Sequence, residues 1–379
     1  MPLTNQPRDY AWGSRTLIAA LEGREPSAGP EAEVWFGDHP SDPAELDGGI
    51  TLDRWIAQDG PSRGVTGPLP YLLKLLAADS PLSIQVHPSR EQAQDGFARE
   101  RGLPEGAPRN YADDNHKPEM LVALSDRFEA LCGLREVAAS RWLLEALGPA
   151  AHPLLERLTG DDALPAVLAW LLSGDAQPTV DAIIAALPEA RSEEFADALG
   201  NARRIAASYP SDPGVIVALL MNYVVLHHGE AVFLRAGMLH AYVSGLGVEI
   251  MAASDNVLRG GLTPKHIDVD ELVRVLDARP GPTELVRPVS VAAGLEEFPV
   301  PVPDFALLRA RVSDGDAAAL TPRGPAIVLA TAGEVRVACG EEELELHPGA
   351  AAFVTPDGGE LRISGDGEAF LAQPGAVLF

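Results

Sequence analysis

A run of alanine- and leucine-rich sequence interrupts a chain whose two ends carry the pattern of short β-strands. Residues 126–225 show an apolar period near 3.6 with breaks at glycine or proline, which predicts roughly five or six helices. On both sides, short apolar runs alternate with turns rich in Pro, Gly and Asp-Ser, which predicts strands. The pattern therefore indicates a mainly β protein with an α-helical insert.

The length of the chain, 379 residues, predicts more than one hydrophobic core. We assign residues 1–125 and 226–295 to one β-barrel split by the insert, residues 126–225 to the insert, and residues 296–379 to a second barrel. Gly229 and Gly349 each lead into a similar apolar strand. His240 lies eleven residues after the first glycine, whereas Glu360 holds the same offset in the second copy. We therefore predict a second barrel without a metal, built as a sandwich or jelly roll.

The charge balance limits the classes of partner. A net charge of −26 and a pI near 4.6 argue against nucleic acid, because backbone binding needs a basic surface. A small anionic substrate would need a local basic island. Only three of the 29 basic residues are lysine, at positions 74, 117 and 265. In a chain so rich in arginine, these lysines mark places where a compact ammonium is needed.

The compartment follows from the cysteines and the apolar runs. Two cysteines, Cys132 and Cys339, cannot form a disulfide framework, which favours a reducing cytoplasm. The N-terminal residues predict no secretory signal, and the longest apolar run is too short to span a bilayer. We therefore expect a cytoplasmic protein that does not bind a membrane, and a monomer is compatible with a chain of several domains.

The stretch PLSIQVHPSRE (residues 81–91) places two polar side chains on one face of a strand. Gln85 and His87 are two residues apart, so they point the same way and could reach one ion, or form a hydrogen-bonded pair inside a barrel. Glu119 in NHKPEM and His240 in GMLHAY complete a set of two imidazoles, a carboxylate and an amide. This set suits one zinc ion. Non-haem iron competes, because two histidines and a carboxylate also form the facial triad of oxygenases.

A second polar stretch, EIMAASDNVLRGGLTPKHID (residues 249–268), is the basic island that an anionic substrate requires. It carries Arg259, Lys265 and His266 within an acidic chain. Arginine offers a planar fork to sugar or phosphate oxygens, and lysine offers a point charge. No phosphate-binding P-loop, dinucleotide fingerprint or GxSxG motif occurs, which argues against nucleotides and serine hydrolysis.

These blocks resemble the type I mannose-6-phosphate isomerases (phosphomannose isomerases) of the cupin superfamily. The matching blocks occur in the family's order and extend to about residue 270; they are YAWGS (10–14), EVWFGDHPS (33–41), PYLLKLLAADSPLSIQVHPS (70–89), DNHKPEM (114–120), GEAVFLRAGMLHAY (229–242) and VEIMAASDNVLRGGLTPKHID (248–268). Arg235 stands where cupin barrels usually carry proline.

The resemblance implies two cupin-type jelly-roll barrels and one zinc ion per chain. It also implies interconversion of mannose 6-phosphate and fructose 6-phosphate, with a place in carbohydrate metabolism such as GDP-mannose biosynthesis. By position, the zinc ligands are Gln85, His87, Glu119 and His240. The resemblance likewise implies that the substrate pocket is lined by Ser83, Lys117, Glu249, Arg259 and Lys265.

The implied reaction moves a proton between neighbouring carbons through an enediolate, which requires a base and an electrophile at the oxygens. We expect zinc and Arg259 to stabilise the oxygens, Glu249 to act as the base, and Ser83 and Lys265 to hold the phosphate. Zinc-bound hydroxide and a lysine are rival bases, and Lys117 belongs to the catalytic set. The alternatives are an iron-dependent cupin dioxygenase and a non-catalytic cupin that binds sugar phosphates.

Overall fold

Two large antiparallel sheets and a group of helices make up the computed structural model, which describes residues 1–104, 106–313 and 315–376. The elements before the insert are β1 (Pro2–Thr4), α1 (Leu17–Leu21), β2 (Glu33–Phe36), β3 (Glu45–Leu46), β4 (Ile50–Thr51), α2 (Leu52–Gln58), β5 (Tyr71–Ala78), β6 (Gln85–Val86), α3 (Arg90–Glu100), β7 (Glu119–Ala123) and β8 (Phe128–Leu134).

Helices then follow one another from residue 137 to residue 219. They are α4 (Val137–Glu145), α5 (His152–Arg157), α6 (Leu164–Leu172), α7 (Gln177–Ala186), α8 (Ala196–Ser208) and α9 (Gly214–Leu219). These six helices agree with the helical pattern of the sequence. The predicted range 126–225 is wider than this, because it also contains β8 and most of the next strand, and both belong to the first sheet.

The remaining elements return to strands. Those of the first sheet and its flank are β9 (Met221–Leu226), β10 (Ala231–Leu234), β11 (His240–Ala252), β12 (Leu258–Arg259), α10 (Val269–Val275) and β13 (Leu285–Val286). Those of the second sheet are β14 (Val289–Ala292), β15 (Leu295–Phe298), β16 (Ala306–Val312), β17 (Ala317–Leu320), β18 (Ala326–Cys339), β19 (Glu342–Leu346), β20 (Ala351–Val354) and β21 (Leu361–Gln373).

Strand β11 is the centre of the first sheet. Its thirteen residues pair with β5, β6, β7 and β8 along different parts of its length, and β2, β9, β10 and β12 pair outside these. Pairing changes at a register shift between Tyr242 and Ser244. One long strand therefore brings together chain segments that lie on both sides of the helical insert.

The second sheet takes strands from both ends of the chain. Its order is β14-β15-β16-β21-β18-β20-β1-β3-β4, with β17 on β21 and β19 on β18. Strands β1, β3 and β4 thus pair with a unit that we had predicted to begin at residue 296, and β14 also precedes that residue. The division into domains stays a prediction. The second sheet nevertheless includes these strands, which lie outside the range predicted for the second barrel. The echoed glycines, Gly229 and Gly349, both have positive φ and lead into β10 and β20.

Separate cores hold these layers together. Apolar residues of β2, β5, β7 and β11 pack against β18, β20 and β21, so one core lies between the two sheets. Another core joins the helices of the insert to one side of β6, β11 and β12. The helices are thereby fixed to the strands that carry the polar motifs. Within the described residues, no helix is long and apolar enough to cross a membrane.

Candidate active site

Because side chains alternate between the two faces of a strand, a row of charged side chains points into the interior of the first sheet. On β5, β7 and β11, the neighbours of Lys74, Glu119 and Glu249 are apolar and pack in the core between the sheets. Since successive side chains point to opposite faces, these three residues face the other way, into the first sheet's own concavity. In register, Lys74 pairs with Glu249. All three are nearly inaccessible to solvent.

Three potential metal ligands meet at one point of this interior. His87 follows β6, Glu119 begins β7, and His240 begins β11. His87 Nε2 lies 3.2 Å from Glu119 Oε1, and His240 Nε2 lies 3.4 Å from Glu119 Oε2. One ligand atom from each residue lies within 4.8 Å of the others. This separation is compatible with a single ion bound by all three.

Backbone carbonyls set the orientation of both imidazoles. His87 Nδ1 lies 2.7 Å from the carbonyl oxygen of Asn256, and His240 Nδ1 lies 3.1 Å from that of Met238. A carbonyl only accepts, so each Nδ1 donates; in the neutral form of either ring the lone pair then lies on Nε2, which faces Glu119. The buried Nε2 of His87 has no hydrogen-bond partner in the described part of the chain. Lone pairs facing a carboxylate repel one another unless a cation lies between them, so these residues fit a divalent metal.

The protonation states agree with metal binding. Burial lowers the pKa of His87 to about 4, because desolvation disfavours the imidazolium. Burial alone would raise the pKa of Glu119, but the charge of Lys117 and the contacts with His87 and His240 outweigh it and hold this pKa well below its ordinary value. Lys117 Nζ lies 3.2 Å from Glu119 Oε1. At neutral pH, the imidazole is therefore neutral and the carboxylate ionised, as metal ligands must be.

The fourth predicted ligand lies on the neighbouring strand. Gln85 pairs in register with His240, and its side chain is half-buried. Its Nε2 donates a hydrogen bond of 3.2 Å to Ser83 Oγ, which orients the amide. Both residues line the same cavity as Glu119 and His240. The arrangement keeps Gln85 and Ser83 at the site, and their roles as ligand and phosphate contact stay predictions.

A cavity of about 360 Å³ opens beside the metal-ligand cluster. Its walls carry all of the predicted pocket residues, together with aromatic, charged and hydroxyl side chains that we did not predict: Tyr10, Trp12, Glu33, Lys74, Tyr209, Tyr242 and Thr263. Tyr10 and Trp12 belong to the YAWGS block and stack with their ring centres 5.7 Å apart. This volume suits a small polar molecule, since most ligand cavities are of similar size or larger.

Two cations line the cavity without carboxylate partners. Arg259 is half-buried and Lys265 is exposed, and neither forms an ion pair with any described residue. Burial lowers the pKa of Arg259, the direction expected where no anion compensates the desolvated guanidinium. His266, the third member of the predicted basic island, is exposed and does not line the cavity. The island therefore consists of two free cations.

A buried ion cluster opposite these cations was missed by the sequence reasoning. Lys74 Nζ lies 3.2 Å from Glu249 Oε2 and 3.5 Å from Glu33 Oε1, and 4.8 Å from the centre of the Trp35 ring. The indole Nε1 of Trp35 donates to Glu33 Oε2 at 2.8 Å. Glu249 faces this cluster and not solvent. A signal did exist, because PYLLKLL and EVWF each place one charge within an otherwise apolar strand.

The two sides of this cluster respond differently to burial. Desolvation lowers the pKa of Lys74, but the attraction of Glu33 and Glu249 outweighs it, so the pKa is raised. Desolvation raises the pKa of Glu249, and Lys74 offsets this only in part. One ammonium shared between two carboxylates cannot fully compensate both. Glu249 is therefore a carboxylate with increased proton affinity beside the cavity.

Comparisons with known proteins point in one direction. A family model described as phosphomannose isomerase type I, catalytic domain, matches residues 1–137. Mannose-6-phosphate isomerase from Escherichia coli (strain K12) is 38% identical over 369 residues, covering 92% of this chain and 93% of the relative. The Homo sapiens mannose-6-phosphate isomerase is 33% identical over 358 residues, covering 82% of each chain.

Solved structures resemble the whole fold. A crystal structure of mannose 6-phosphate isomerase bound with zinc and yttrium has a TM-score of 0.88 and 35% identity, covering 99% of both chains. A mutant of phosphomannose isomerase from Salmonella typhimurium has a TM-score of 0.91 with the same identity and coverage. The likeness thus includes the helical insert and the second sheet, beyond the 137 residues that the family model matches.

Proposed function

This chain belongs to the type I mannose-6-phosphate isomerase family, and from that premise we propose that it interconverts D-mannose 6-phosphate and D-fructose 6-phosphate. One observation carries the proposal beyond family membership. Arg259 and Lys265, which have no ion-pair partner among the described residues, line the same cavity as the metal-ligand cluster, in a chain of net charge −26. A cavity with these two features suits a small phosphorylated sugar.

We propose that His87, Glu119, His240 and Gln85 hold one zinc ion. Two imidazoles and a carboxylate suit zinc, and the amide of Gln85 lies beside them. When bound, zinc supplies a Lewis acid that polarises oxygen atoms of the sugar. Iron with oxygen chemistry is not favoured, because the curated relatives that cover most of this chain are isomerases.

Glu249 is the group that we assign to proton transfer. Aldose–ketose isomerisation needs a base that takes a proton from one carbon and returns it to the next. The buried carboxylate of Glu249 has a raised pKa and borders the cavity. Lys74 is not suited to this role: its pKa is also raised, which keeps the ammonium protonated, so it donates to Glu249 and does not act as the base. Arg259 and Lys117 stabilise negative charge on the sugar oxygens.

The phosphate group is assigned to the exposed side of the cavity. Lys265 is the exposed cation there, and Ser83 offers a hydroxyl. Binding the phosphate far from the reacting carbons supplies the energy that orients those carbons. This assignment explains why two free cations face the cavity while Lys74 and Lys117 are paired with carboxylates.

Further proposals concern the fold family, the oligomeric state and the compartment. We propose that the two antiparallel sheets are cupin-type jelly-roll barrels and that the enzyme works as a monomer in the cytoplasm. The two free cysteines, Cys132 and Cys339, agree with a reducing compartment. The acidic surface agrees with the absence of nucleic-acid and membrane partners. The reaction would serve sugar-phosphate metabolism, including GDP-mannose biosynthesis.

Isomerase activity on mannose 6-phosphate tests the proposal directly. Purified protein is assayed as isolated, after chelation, and after zinc is restored, with fructose 6-phosphate measured as the product. We expect activity that disappears with zinc and returns with it. Folded, zinc-loaded protein that does not convert mannose 6-phosphate would refute the function. Activity that survives complete removal of the metal would refute the role of zinc and leave the isomerase function standing.

A further inference from the structure

The helical insert contacts the cavity through the short connection between α8 and α9. Tyr209 lies at the end of α8 and lines the cavity, whereas Asp212 is half-buried and does not line it. The remainder of the insert packs its apolar side chains on β6, β11 and β12. This connection is therefore the place where the insert can act on the site.

The carboxylate of Asp212 binds the backbone of the loop that carries the free cations. Asp212 Oδ1 accepts hydrogen bonds from the backbone N–H groups of Gly214, at 2.7 Å, and of Leu262, at 3.1 Å. Asp212 Oδ2 accepts another from Thr263 N–H, at 3.3 Å. One side chain of the insert thus holds both its own helix α9 and the turn between Arg259 and Lys265. Hydrogen bonds to an ionised acceptor are stronger than neutral ones.

The turn that Asp212 holds has an unusual backbone conformation. Leu262 has φ near 55°, a backbone region that residues other than glycine rarely adopt. Its side chain is buried in the core shared with the insert. Gly261 has φ near 122°, and a Cβ there would lie 2.4 Å from the Cα of Gly214. A conformation of this kind persists only when its surroundings hold it in place. The close contact with Gly214 and the carboxylate of Asp212 are those surroundings.

A second contact links the insert to the other predicted phosphate ligand. The hydroxyl of Tyr209 donates a hydrogen bond of 2.9 Å to the carbonyl oxygen of Pro81. Pro81 lies two residues before Ser83, which lines the cavity. The same connection of the insert therefore contacts the segments that carry both Ser83 and Lys265.

We infer that Asp212 is a positioning residue for the phosphate subsite, and that the helical insert is the clamp that carries it. Asp212 fixes the turn at residues 261–263 so that Lys265 faces the cavity. The inference rests on the proposed function, because that function assigns Lys265 to the phosphate group of the substrate. Asp212 itself does not touch the substrate, so its effect is on the affinity for phosphate groups.

Three variants separate positioning from general stability. Asp212→Ala removes both acceptor oxygens, whereas Asp212→Asn keeps one oxygen for Gly214 and Leu262. Leu154→Val is the matched control, because Leu154 is fully buried in α5 and makes no hydrogen bond to the turn. For each zinc-loaded protein we measure kcat, KM for mannose 6-phosphate, the inhibition constant of inorganic phosphate, and zinc content, below its unfolding temperature.

We expect Asp212→Ala to raise KM and the inhibition constant of phosphate by about tenfold, with a smaller change in kcat and unchanged zinc. Asp212→Asn should raise both by about threefold, and Leu154→Val should leave both unchanged. Asp212 variants with wild-type KM would overturn the inference, as would a control that raises KM equally. If Asp212→Ala does not fold, Asp212→Asn decides by the same criterion.

A second readout keeps this inference distinct from the proposed function. Millimolar inorganic phosphate should raise the unfolding temperature of the zinc-loaded wild type, and raise that of the Asp212 variants less. A wild type that is inactive on mannose 6-phosphate but shows this difference refutes the function and retains the inference. A wild type that phosphate does not stabilise refutes the phosphate subsite, and the role of Asp212 with it.

Discussion

Replacing Lys74 by methionine tests whether the buried ion cluster is held together by a single shared ammonium. Lys74 lies 3.2 Å from Glu249 and 3.5 Å from Glu33, and all three side chains are buried. Methionine keeps an unbranched apolar stem, so the substitution removes the charge with little change in packing. The free energy of unfolding then reports the loss of the charge.

The distances set the size of the effect. Coulomb's law gives about 5 kcal/mol for each of the two pairs at an effective dielectric constant of about 20. Burying the ammonium offsets much of this attraction, and removing one partner of a buried pair usually costs about 3–5 kcal/mol. We therefore expect Lys74→Met to lower the free energy of unfolding by about 3–5 kcal/mol near neutral pH. Adding Glu249→Gln should restore part of the lost stability. The neutral amide replaces one of the two buried carboxylates that the loss of Lys74 leaves without a partner.

The loss should also depend on pH, with a sign fixed by Glu249. Burial already raises its pKa above the ordinary value of 4.5, and removing Lys74 raises it further. Between the unfolded and the folded pKa, the folded state binds more protons, so stability falls as pH rises. Above the folded pKa the deficit is complete. The variant should therefore be closer to wild type at about pH 5 than at about pH 8.

The assay is urea unfolding of chelated, zinc-free protein, so that metal binding does not contribute to stability. Lys265→Met is the control, because this exposed lysine has no ion pair among the described residues, and it should change stability by less than about 0.5 kcal/mol. A loss below about 1 kcal/mol for Lys74→Met, or the same loss at both pH values, would refute the reasoning. A double variant less stable than the single one would refute it as well.

Three predictions concern the site itself. Arg259→Ala should lower kcat by about 100-fold without loss of zinc, by turnover and metal analysis, and loss of zinc would assign Arg259 to structure instead. Lys265→Met should raise KM for mannose 6-phosphate by about tenfold, because it removes a phosphate contact; a fall in kcat alone would contradict this. Glu119→Gln should abolish zinc binding, as measured by metal analysis. Glu345→Gln, in an exposed Glu–Glu–His group, is the control and should leave the zinc content unchanged. The reverse result would assign the metal to that exposed group.

The helical pattern was predictable from short-range spacing, whereas the metal-ligand triad was predicted by combining motifs that lie far apart in the chain. A helical period near 3.6 shows within one segment, and six helices lie where it predicted them. His87, Glu119 and His240 stood out as a set that suits a metal, since a single histidine in such a segment is more often a hydrogen-bonded core residue than a ligand. The boundaries were less accurate, since β8 and β9 are apolar and their pairing with the first sheet is a long-range contact.

Lys74 and Glu33 were harder to identify as site residues. Each is a single charge in an apolar strand, and its partners lie on other strands, 41 or more residues away in the chain. Only the register between β2, β5 and β11 shows that Lys74 lies between two carboxylates. The same limitation applies to Asp212, whose partners at residues 262 and 263 lie 50 and 51 residues later.

Periodicity along the chain was enough to infer which residues share a face of a strand and which segments are helical, since a period of 2 or 3.6 is a property of consecutive residues. The candidates for the metal site came from the motifs and the family that they resemble. The tertiary structure alone decided that β1 joins the second sheet, that one ammonium serves two carboxylates, and that the insert holds the cation-bearing turn. These features depend on strand register and on the packing of distant segments, where many weak contacts act together and no short stretch of sequence carries the information.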